Sequence, residues 1–461
     1  MIIQNFNELI SAVKTKEESE RRKIILELLE TGINSVLPCN IIPTNVKLKN
    51  KKLIIQNFQF DLSKITNIYV VGAGKASGAM AEEIEKILQP FITSGLVNVP
   101  YSTKREYNTQ IIQLNEASHP IPSESGVIGA KKIIQILNQT KATDLVIVLL
   151  SGGGSALLPL PADEIDLKYL QQLNNQLIKS GATIQEINTV RKHCSQIKGG
   201  QLIKFAYPAE VITLILSDVI GNPLDSIASG PTVPDPTTYK QAIKILKHYH
   251  LWEKVNESIK RHLQNGIKGI IPETPKPNDK IFRKTYTFII GDIKSACNSI
   301  KKTADHRGFF SKIYSYNLVG EARLIGKEFL KYAKNLRFKD SLVSEKPIIL
   351  IAGGETTVTV KGKGVGGRCQ EMGLAIISEF QNLENYVFAA LGTDGIDGFT
   401  NAAGVIIDKY STYLMNQKSL NPQRFLDNND SYNFFKNLGD SLIFTGPTGT
   451  NVNDLMLIGI F

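Results

Sequence analysis

Cysteine and tryptophan are scarce in this chain of 461 residues, which has four cysteines and one tryptophan. The cysteines are far apart and form no Cys-x-x-Cys pair, so the sequence predicts neither a zinc site nor a disulfide framework. No apolar run approaches the roughly 20 residues of a membrane-spanning helix. The first residues also lack the basic and apolar segments of a secretory signal. We therefore expect a soluble, cytoplasmic protein.

Long runs of one charge are also missing, although the formal net charge is +10. The basic runs are short, and aromatic residues do not alternate with them as they do in proteins that bind single-stranded nucleic acids. The basic residues could be plain solvated surface or could attract small anions, and both interpretations stay open. We expect small-molecule substrates, with no nucleic-acid or membrane partner.

Continuous apolar segments indicate where the buried strands lie. Residues 66–71, 144–150 and 211–216 predict three such strands, and residues 77–88 and 167–180 predict helices between them. Strands that are apolar throughout, alternating with helices, are typical of a parallel sheet covered on both faces. The N-terminal part is therefore predicted to be an α/β domain.

A change of composition divides the chain. Residues 264–284 contain three prolines and few large apolar side chains, which predicts a linker. The predicted N-terminal domain is then residues 1–263, and a second α/β domain covers residues 285–461. The strands predicted in this second domain are residues 286–290, 347–351, 387–391 and 441–444.

A glycine-rich turn follows the first predicted strand and contains Gly72, Gly74 and Lys75. Glycines let a phosphate approach the backbone, and the N-terminus of the next helix favours an anion. Ser77 stands where the dinucleotide-binding fingerprint needs its third glycine, which argues against that fingerprint. A plain strand–helix turn with Lys75 in solvent remains open.

The second predicted strand ends in an unbroken run of small residues. Its successive backbone N–H groups and two hydroxyls could form an anion-binding nest. The run is not a Walker A loop, because no Gly-Lys-Ser/Thr occurs in the chain, and a flexible turn remains the alternative. The residues are Ser151, Gly152, Gly153, Gly154 and Ser155.

Two further candidates of the N-terminal part are basic, and one is acidic. Arg191 and Lys198 lie in a donor-rich segment that could bind phosphate or carboxylate, or could be a solvated helix face. Asp218 follows the third predicted strand, where a carboxylate can orient a hydroxyl group or hold a metal ion.

The second half offers a similar set of polar residues. Glu355 follows a predicted strand, and Arg368 follows a glycine-rich stretch before a predicted helix. A guanidinium in such a position can pair bidentately with phosphate or carboxylate. Three further candidates lie in a loop dense in small donors, which could equally be a structural turn: Thr448, Asn451 and Asn453.

Asp394 and Asp397 share one loop and suggest a cation site. A calcium loop is excluded, because no glutamate stands at its twelfth position. The two carboxylates could still hold Mg²⁺ through water.

Eight segments, in this order, carry a family resemblance between about residues 70 and 455. They are VGAGKASGAM, HPIPSESG, SGGGSALLPLP, NTVRKHCSQIKGG, SDVIGNPLDSIASGPTVPDP, AGGETTVTVKGKGVGGRCQE, TDGIDGFTNAAG and GPTGTNVNDL. Together they resemble the class II glycerate 2-kinases, whose C-terminal part is called the MOFRL domain.

The resemblance implies that ATP phosphorylates D-glycerate to 2-phosphoglycerate with Mg²⁺ or another divalent cation. It implies a Rossmann-like N-terminal domain and a smaller C-terminal α/β domain, with the active site in the interdomain cleft. Lys75 and Arg368 match the family's proposed catalytic cations, and Asp218 matches its acidic residue. The chain departs from the family pattern at Cys369 and at Asn222, where the family commonly has asparagine and an acidic residue, and in residues 399–401. The missing carboxylates put the metal ligands in doubt.

Two other functions remain open beside the kinase. One is an NAD(P)H-dependent hydroxypyruvate reductase using the Gly72 turn, and the other is an anion-binding or sensor protein without turnover. A homodimer is left open.

Overall fold

The computed structural model describes residues 1–339 and 346–461. The described chain forms two compact units. One is Ile41–Ile290, here called the central unit, and the other combines Met1–Asn40 with Gly291–Phe461 and is called the terminal unit.

The strands belong to three sheets. In chain order they are β1 (Val46–Lys49), β2 (Lys52–Ile55), β3 (Phe58–Asp61), β4 (Ile68–Ala73), β5 (Ile92–Pro100), β6 (Ile112–Ala117), β7 (Leu145–Ser151), β8 (Glu210–Leu216), β9 (Thr285–Gly291), β10 (Phe310–Glu321), β11 (Ile348–Thr357), β12 (Tyr386–Gly392), β13 (Gly404–Asp408), β14 (Leu442–Ile443) and β15 (Asp454–Ile460).

The α-helices are distributed over both units. They are α1 (Phe6–Ser11), α2 (Lys16–Val36), α3 (Pro38–Asn45), α4 (Ser77–Leu88), α5 (Glu124–Leu137), α6 (Gly154–Leu157), α7 (Leu167–Lys179), α8 (Ile184–His193), α9 (Gln201–Ala206), α10 (Tyr239–His248), α11 (Glu257–Ile267), α12 (Ile293–His306), α13 (Ala322–Lys339), α14 (Arg368–Ile376), α15 (Lys409–Gln417), α16 (Pro422–Asp427) and α17 (Ser431–Leu438).

The central unit is built on a six-stranded sheet of order β6-β5-β4-β7-β8-β9. The pairs β5–β6, β4–β5, β4–β7 and β7–β8 are all parallel, which confirms the sheet predicted from the apolar segments. Every residue of β4 and of β7 is buried, as expected for strands covered on both faces. A separate antiparallel sheet of β1, β2 and β3 precedes it in the chain.

The sheet of the terminal unit has the order β10-β11-β15-β12-β13-β14. β10 and β11 are parallel, whereas β15 lies between β11 and β12 and is antiparallel to both. All residues of β12 and β15 are buried, so this sheet also has a core on each face. Both units are thus α/β, as predicted.

The strand predicted at residues 286–290 exists as β9, but it was assigned to the wrong sheet. It forms the edge of the central sheet beside β8 rather than the start of the second α/β set. Strand pairing over this distance depends on the tertiary fold, which local apolar patterns do not specify.

The N-terminal segment differs from the predicted domain 1–263, because residues 1–40 belong to the terminal unit. The guanidinium of Arg22 on α2 is fully buried and pairs with both carboxylate oxygens of Asp408, with Nε–Oδ2 at 2.6 Å and Nη2–Oδ1 at 3.0 Å. Its Nη1 also donates to the carbonyl oxygen of Leu9 at 3.0 Å. This ion pair ties the start of the chain to the end of β13.

Residues 264–284, predicted as a linker between domains, are part of the central unit. Oε2 of Glu273 lies 3.2 Å from Nε2 of His193. The hydroxyl of Thr274 donates a hydrogen bond to Oδ2 of Asp235 at 3.0 Å. The prolines of this segment therefore shape a loop that packs on its own unit.

Within the described residues, no single helix is long and apolar enough to cross a membrane. The bent pair α2–α3 passes a test of length and composition only when its two helices are taken together.

Candidate active site

Three of the predicted loops meet at one edge of the central sheet. Ala73 pairs with Leu150, and Ser151 pairs with Leu216, so β4, β7 and β8 end side by side. Lys75, the run Ser151–Ser155 and Asp218 therefore emerge at the same edge, where ligands bind in open α/β sheets.

Gly72 and Gly74 support this edge by allowing close backbone packing. A Cβ at Gly72 would overlap the carbonyl oxygen of Leu149, and one at Gly74 would overlap the hydroxyl of Ser151. That buried hydroxyl in turn accepts a hydrogen bond from the backbone N–H of Ala76 at 3.0 Å. Gly72 and Gly74 therefore fix the turn that carries Lys75 and do not themselves line the cavity at this edge.

Gly152 positions two of the predicted catalytic groups. Its carbonyl oxygen accepts a hydrogen bond from the backbone N–H of Lys75 at 2.8 Å. A Cβ on Gly152 would overlap the carboxylate of Asp218, so that carboxylate rests directly on the glycine. The backbone of one loop thus sets the positions of both Lys75 and Asp218.

His119 is a neighbour of Lys75 that was not among the predicted site residues. A Cβ at Gly153, where φ is +78°, would lie 3.0 Å from Nε2 of His119 and 3.4 Å from Cγ of Lys75. Burial, together with the positive charge of Lys75, lowers the pKa of His119 to about 4. The imidazole is therefore neutral near pH 7. HPIPSESG contained this histidine, but only the folded loop brings it to Lys75.

A cavity of about 710 Å³ opens at this edge. It is lined by His119 and Asn188, which were not predicted, and by six predicted residues: Ser151, Gly153, Gly154, Ser155, Arg191 and Asp218. The volume lies in the range of small-molecule and cofactor sites.

Lys198 and Arg191 provide positive charge beside the cavity. Nζ of buried Lys198 donates to the carbonyl oxygen of Ser155 at 2.7 Å and to its hydroxyl at 3.1 Å. Nε of Arg191 donates to Oδ1 of Asn174 at 2.8 Å. Burial, with Arg191 as a second cause, lowers the pKa of Lys198 to about 7. Among residues 1–339 and 346–461, no carboxylate forms an ion pair with either side chain. Their charge is therefore available to an anionic ligand.

Lys192, on the same helix as Arg191, shows the contrasting arrangement. Its ammonium lies 3.0 Å from a carboxylate oxygen of Asp225 and 3.5 Å from one of Asp235. The charge of this buried lysine is therefore paired within the protein.

Asn188 supplies a donor that the sequence analysis missed. Its Oδ1 accepts a hydrogen bond from the hydroxyl of Ser229 at 3.0 Å, and that hydroxyl lies 2.9 Å from the hydroxyl of Ser155. The Nδ2 group is buried and has no hydrogen-bond partner in the part of the chain that the structure describes. Since Asn188 lines the cavity, this donor is suited to a ligand oxygen.

Arg368 lies in the terminal unit and is held by two carboxylates. Its guanidinium binds Asp454 with Nε–Oδ2 at 2.5 Å and Nη2–Oδ1 at 3.0 Å, and Nη1 lies 2.7 Å from Oε1 of Glu355. Although burial acts to lower the pKa of Arg368, the charge of Asp454 raises it above its usual value. The structure thus joins the predicted Arg368 and Glu355 and adds Asp454, the first residue of β15.

The predicted metal pair does not fit a divalent cation. Both carboxylate oxygens of Asp397 accept backbone N–H groups at the start of α14, from Cys369 at 3.1 Å and Gln370 at 2.8 Å. Burial raises the pKa of Asp397 to about 6. Asp394 accepts the backbone N–H of Ile396 at 3.2 Å. No group of three or more metal-binding side chains occurs in the described ranges.

The remaining predicted donors hold neighbouring loops together. The hydroxyl of Thr448 donates to the carbonyl oxygen of Thr393 at 2.6 Å, and Oδ1 of Asn451 accepts the backbone N–H of Asn453 at 3.2 Å. The carbonyl oxygen of Asn453 accepts the hydroxyl of Thr393 at 2.6 Å. The predicted residues therefore form one group within each unit, and the expected interdomain cleft stays a prediction.

Comparison with known proteins agrees with this arrangement. Residues 24–264 match a family described as a domain of unknown function, DUF4147, and residues 348–454 match the MOFRL family. The chain is 40% identical to the glycerate 2-kinase of Pyrococcus horikoshii, over 95% of this chain and 96% of the relative. This chain belongs to the glycerate 2-kinase family with a C-terminal MOFRL domain.

Two further relatives bear on the fold and on the reaction. The crystal structure of a glycerate kinase from Thermotoga maritima matches with a TM-score of 0.84 at 37% identity, covering 96% of this chain and all of that chain (100%). A relative from Agrobacterium vitis carries the provisional name hydroxypyruvate reductase and is 38% identical, over 84% of this chain and 86% of its own. The glycerate kinase family thus includes relatives named for either reaction.

Proposed function

We propose that this protein transfers a phosphoryl group from ATP to D-glycerate, giving 2-phosphoglycerate and ADP. The observation that carries the proposal is the cavity lined by Arg191 and Asp218, beside which Lys198 is buried with no carboxylate partner among the described residues. Phosphoryl transfer needs such a combination, because its catalysis consists mainly of positioning and of stabilising negative charge.

Asp218 is proposed to orient the 2-hydroxyl of glycerate and to accept its proton as the oxygen attacks the γ-phosphate. A carboxylate fixed at a strand end can do this without moving. Lys75, held by the same loop, is proposed to stabilise the charge that develops on the transferred phosphoryl oxygens. Neutral His119 beside it can exchange hydrogen bonds without adding charge.

Arg191, Lys198 and the free amide donor of Asn188 are proposed to hold the anionic groups of the substrates. A guanidinium pairs with the oxygens of a carboxylate or phosphate in a forked geometry, whereas Lys198 contributes a single buried charge. Bound anions would also favour the protonated form of Lys198.

The carboxylates of Asp394 and Asp397 are not suited to bind the divalent cation that the family resemblance implies. We propose that the cation arrives with the phosphates of ATP, since Mg²⁺ commonly keeps its waters and uses few protein ligands. Arg368 is proposed to serve the same reaction, on the basis of its position in the family pattern.

Hydroxypyruvate reduction is the second candidate, and the name of the Agrobacterium vitis relative favours it. Against it, the end of β5 lacks the acidic residue that would bind the ribose of a dinucleotide. Asn98 near that end is fully buried and donates to the carbonyl oxygens of Leu157 at 2.7 Å and Gly126 at 3.1 Å. Both hydrogen bonds use Nδ2 of Asn98, so this amide is occupied within the protein core.

One pair of assays tests the proposal. Incubation with ATP, Mg²⁺ and D-glycerate should give 2-phosphoglycerate, identified by phosphorus NMR, while NADH and NADPH should remain unoxidised in the presence of hydroxypyruvate. Nucleotide binding without any product would favour a sensor, and oxidation of NADH or NADPH would favour the reductase.

The cytoplasm is the proposed place of action, with small molecules as the only substrates. Light scattering on the purified chain will distinguish a monomer from a homodimer.

A further inference from the structure

The entrance of the cavity is unusually apolar. Ile121, Ile178 and Ile184 line it while 63%, 60% and 49% of their surfaces are exposed, and we call these three residues the isoleucine mouth. Single exposed isoleucines are common on proteins, but three around one opening indicate a surface that a ligand covers.

Helix α7 places amide groups next to the isoleucine mouth. Gln172 and Asn175 are exposed, line the cavity and lie on the same side of the helix as Ile178, whereas Leu173 and Leu177 are buried on the opposite side. A carboxamide carries both a donor and an acceptor, so it can pair with the edge of a nucleobase. This wall combines apolar area with such amides, as a planar heterocycle requires.

The size of the cavity separates the two substrates. Its volume of about 710 Å³ suits a ligand of cofactor size, whereas glycerate would fill only a small part. Arg191 follows Ile184 by two turns of α8, or about 10 Å, with Asn188 between them, and all three line the cavity together with Lys168 of α7. A nucleotide can therefore place an apolar base at the entrance and its phosphates inside.

We propose that the isoleucine mouth, with Gln172 and Asn175, binds the base of the nucleotide that donates the phosphoryl group. This assignment rests on the proposed kinase function and adds to it where the nucleotide lies and in which direction. The phosphates then point towards Arg191 and Lys198.

The test is a double variant, Ile178→Ser with Ile184→Ser, compared with Ile270→Ser. Ile270 is a matched control, because it belongs to the same unit, is 67% exposed and does not line the cavity. Serine removes apolar surface without adding a charge that would repel phosphates. The dissociation constant of ADP is measured by calorimetry, and the KM values of ATP and glycerate are measured separately.

We expect the double variant to raise the dissociation constant of ADP and the KM of ATP by about tenfold, because the base loses apolar contacts. The KM of glycerate and all constants of Ile270→Ser should stay unchanged. Unchanged ADP binding, or a rise in the KM of glycerate instead, would overturn the assignment. If the unaltered protein does not phosphorylate glycerate, the proposed function is refuted instead. The measurement of ADP binding would still decide the assignment of the isoleucine mouth.

Discussion

Lys198 is the residue whose charge should depend most directly on pH near neutrality. Burial lowers its pKa from the usual 10.5 to about 7, so the free protein carries this charge below pH 7 and loses it above. Binding of anionic substrates should weaken accordingly as the pH rises. We expect kcat/KM to fall above pH 7 by up to about tenfold per pH unit, since this ratio reports groups of the free enzyme.

The Lys198→Arg variant provides the comparison. An arginine side chain stays protonated throughout this pH range, so the loss of activity above pH 7 should disappear even if the absolute rate is lower. A pH profile of the same shape in both proteins would show that another group titrates.

Arg368 should be sensitive even to replacement by lysine. The Arg368→Lys variant loses the two-point pairing with buried Asp454, which should lower stability by about 1.5–3 kcal/mol. If Arg368 also serves phosphoryl transfer, kcat/KM should fall by about ten- to a hundredfold. Melting temperature and kinetics with both substrates are measured beside Arg424→Lys, a change at an exposed arginine of the same unit.

The kinetic result for Arg368→Lys decides between two roles. Lower stability with unchanged kcat/KM in the folded fraction would make Arg368 a structural partner of Asp454. A lower kcat/KM would show that both units contribute to the reaction.

Sequence patterns pointed more readily to residues that directly follow apolar strands. They gave no signal for residues that reach the cavity only through the tertiary fold. Lys75 and Asp218 were predicted because each lies just beyond the carboxyl end of a buried strand. Asn188 was not, since it lies within α8 and its exposure to the cavity depends on how that helix packs. Asp397 was predicted as a metal ligand, but its carboxylate caps α14, a role that depends on the distant start of that helix.

At the scale of elements, the turn after β7 is expected to be intolerant of a single methyl group. The Cβ of Gly152→Ala would overlap the carboxylate of Asp218, while the backbone at Gly152 does not have the positive φ that requires glycine. We expect kcat to fall by about a hundredfold through misplacement of Asp218, with little loss of stability.

Gly269→Ala is the control, because at this glycine the backbone conformation and not a neighbouring side chain disfavours alanine. Gly269 has a φ of +74° and no atom near its Cβ position, so alanine there should cost roughly 1–2 kcal/mol of stability and leave kcat unchanged. Thermal unfolding and turnover are measured for both variants. A fully active Gly152→Ala would show that Asp218 can shift without consequence.

Local periodicity predicted elements more reliably than their partners. The helix expected at residues 77–88 is α4, because its apolar side chains recur at helical spacing above a glycine-rich turn. β9 was also predicted as a strand, yet its place beside β8 was missed. Apolar content decides whether a segment is buried, whereas the choice of neighbouring strand is made across the whole domain.

At the scale of the whole molecule, the ion pair between α2 and the strand β13 should be important for stability. Arg22→Ala leaves the buried carboxylate of Asp408 without its partner, which should cost about 3–5 kcal/mol in the free energy of unfolding. Arg21→Ala is the control, since the neighbouring arginine is exposed where it donates to the carbonyl oxygen of Glu384. Denaturant unfolding of both variants measures the difference, and equal stabilities would contradict the role given to the buried pair.

The membership of residues 1–40 in the terminal unit could not be predicted from local patterns. The apolar face of α2 indicates burial against some partner, but the sequence does not indicate which one. Asp408 lies 386 positions away from Arg22 along the chain.

The way α2 and β15 are placed along the chain sets an order for folding during translation. The central unit can be complete while the buried side of α2, which includes Ile25, Leu26 and Leu29, still has no partners from Gly291–Phe461. β15 must then enter between β11 and β12 before the second sheet is continuous. At about 5–20 residues per second, this interval lasts roughly 10 to 35 seconds. During that time the apolar side of α2 remains uncovered on the nascent chain, while its charged side faces water.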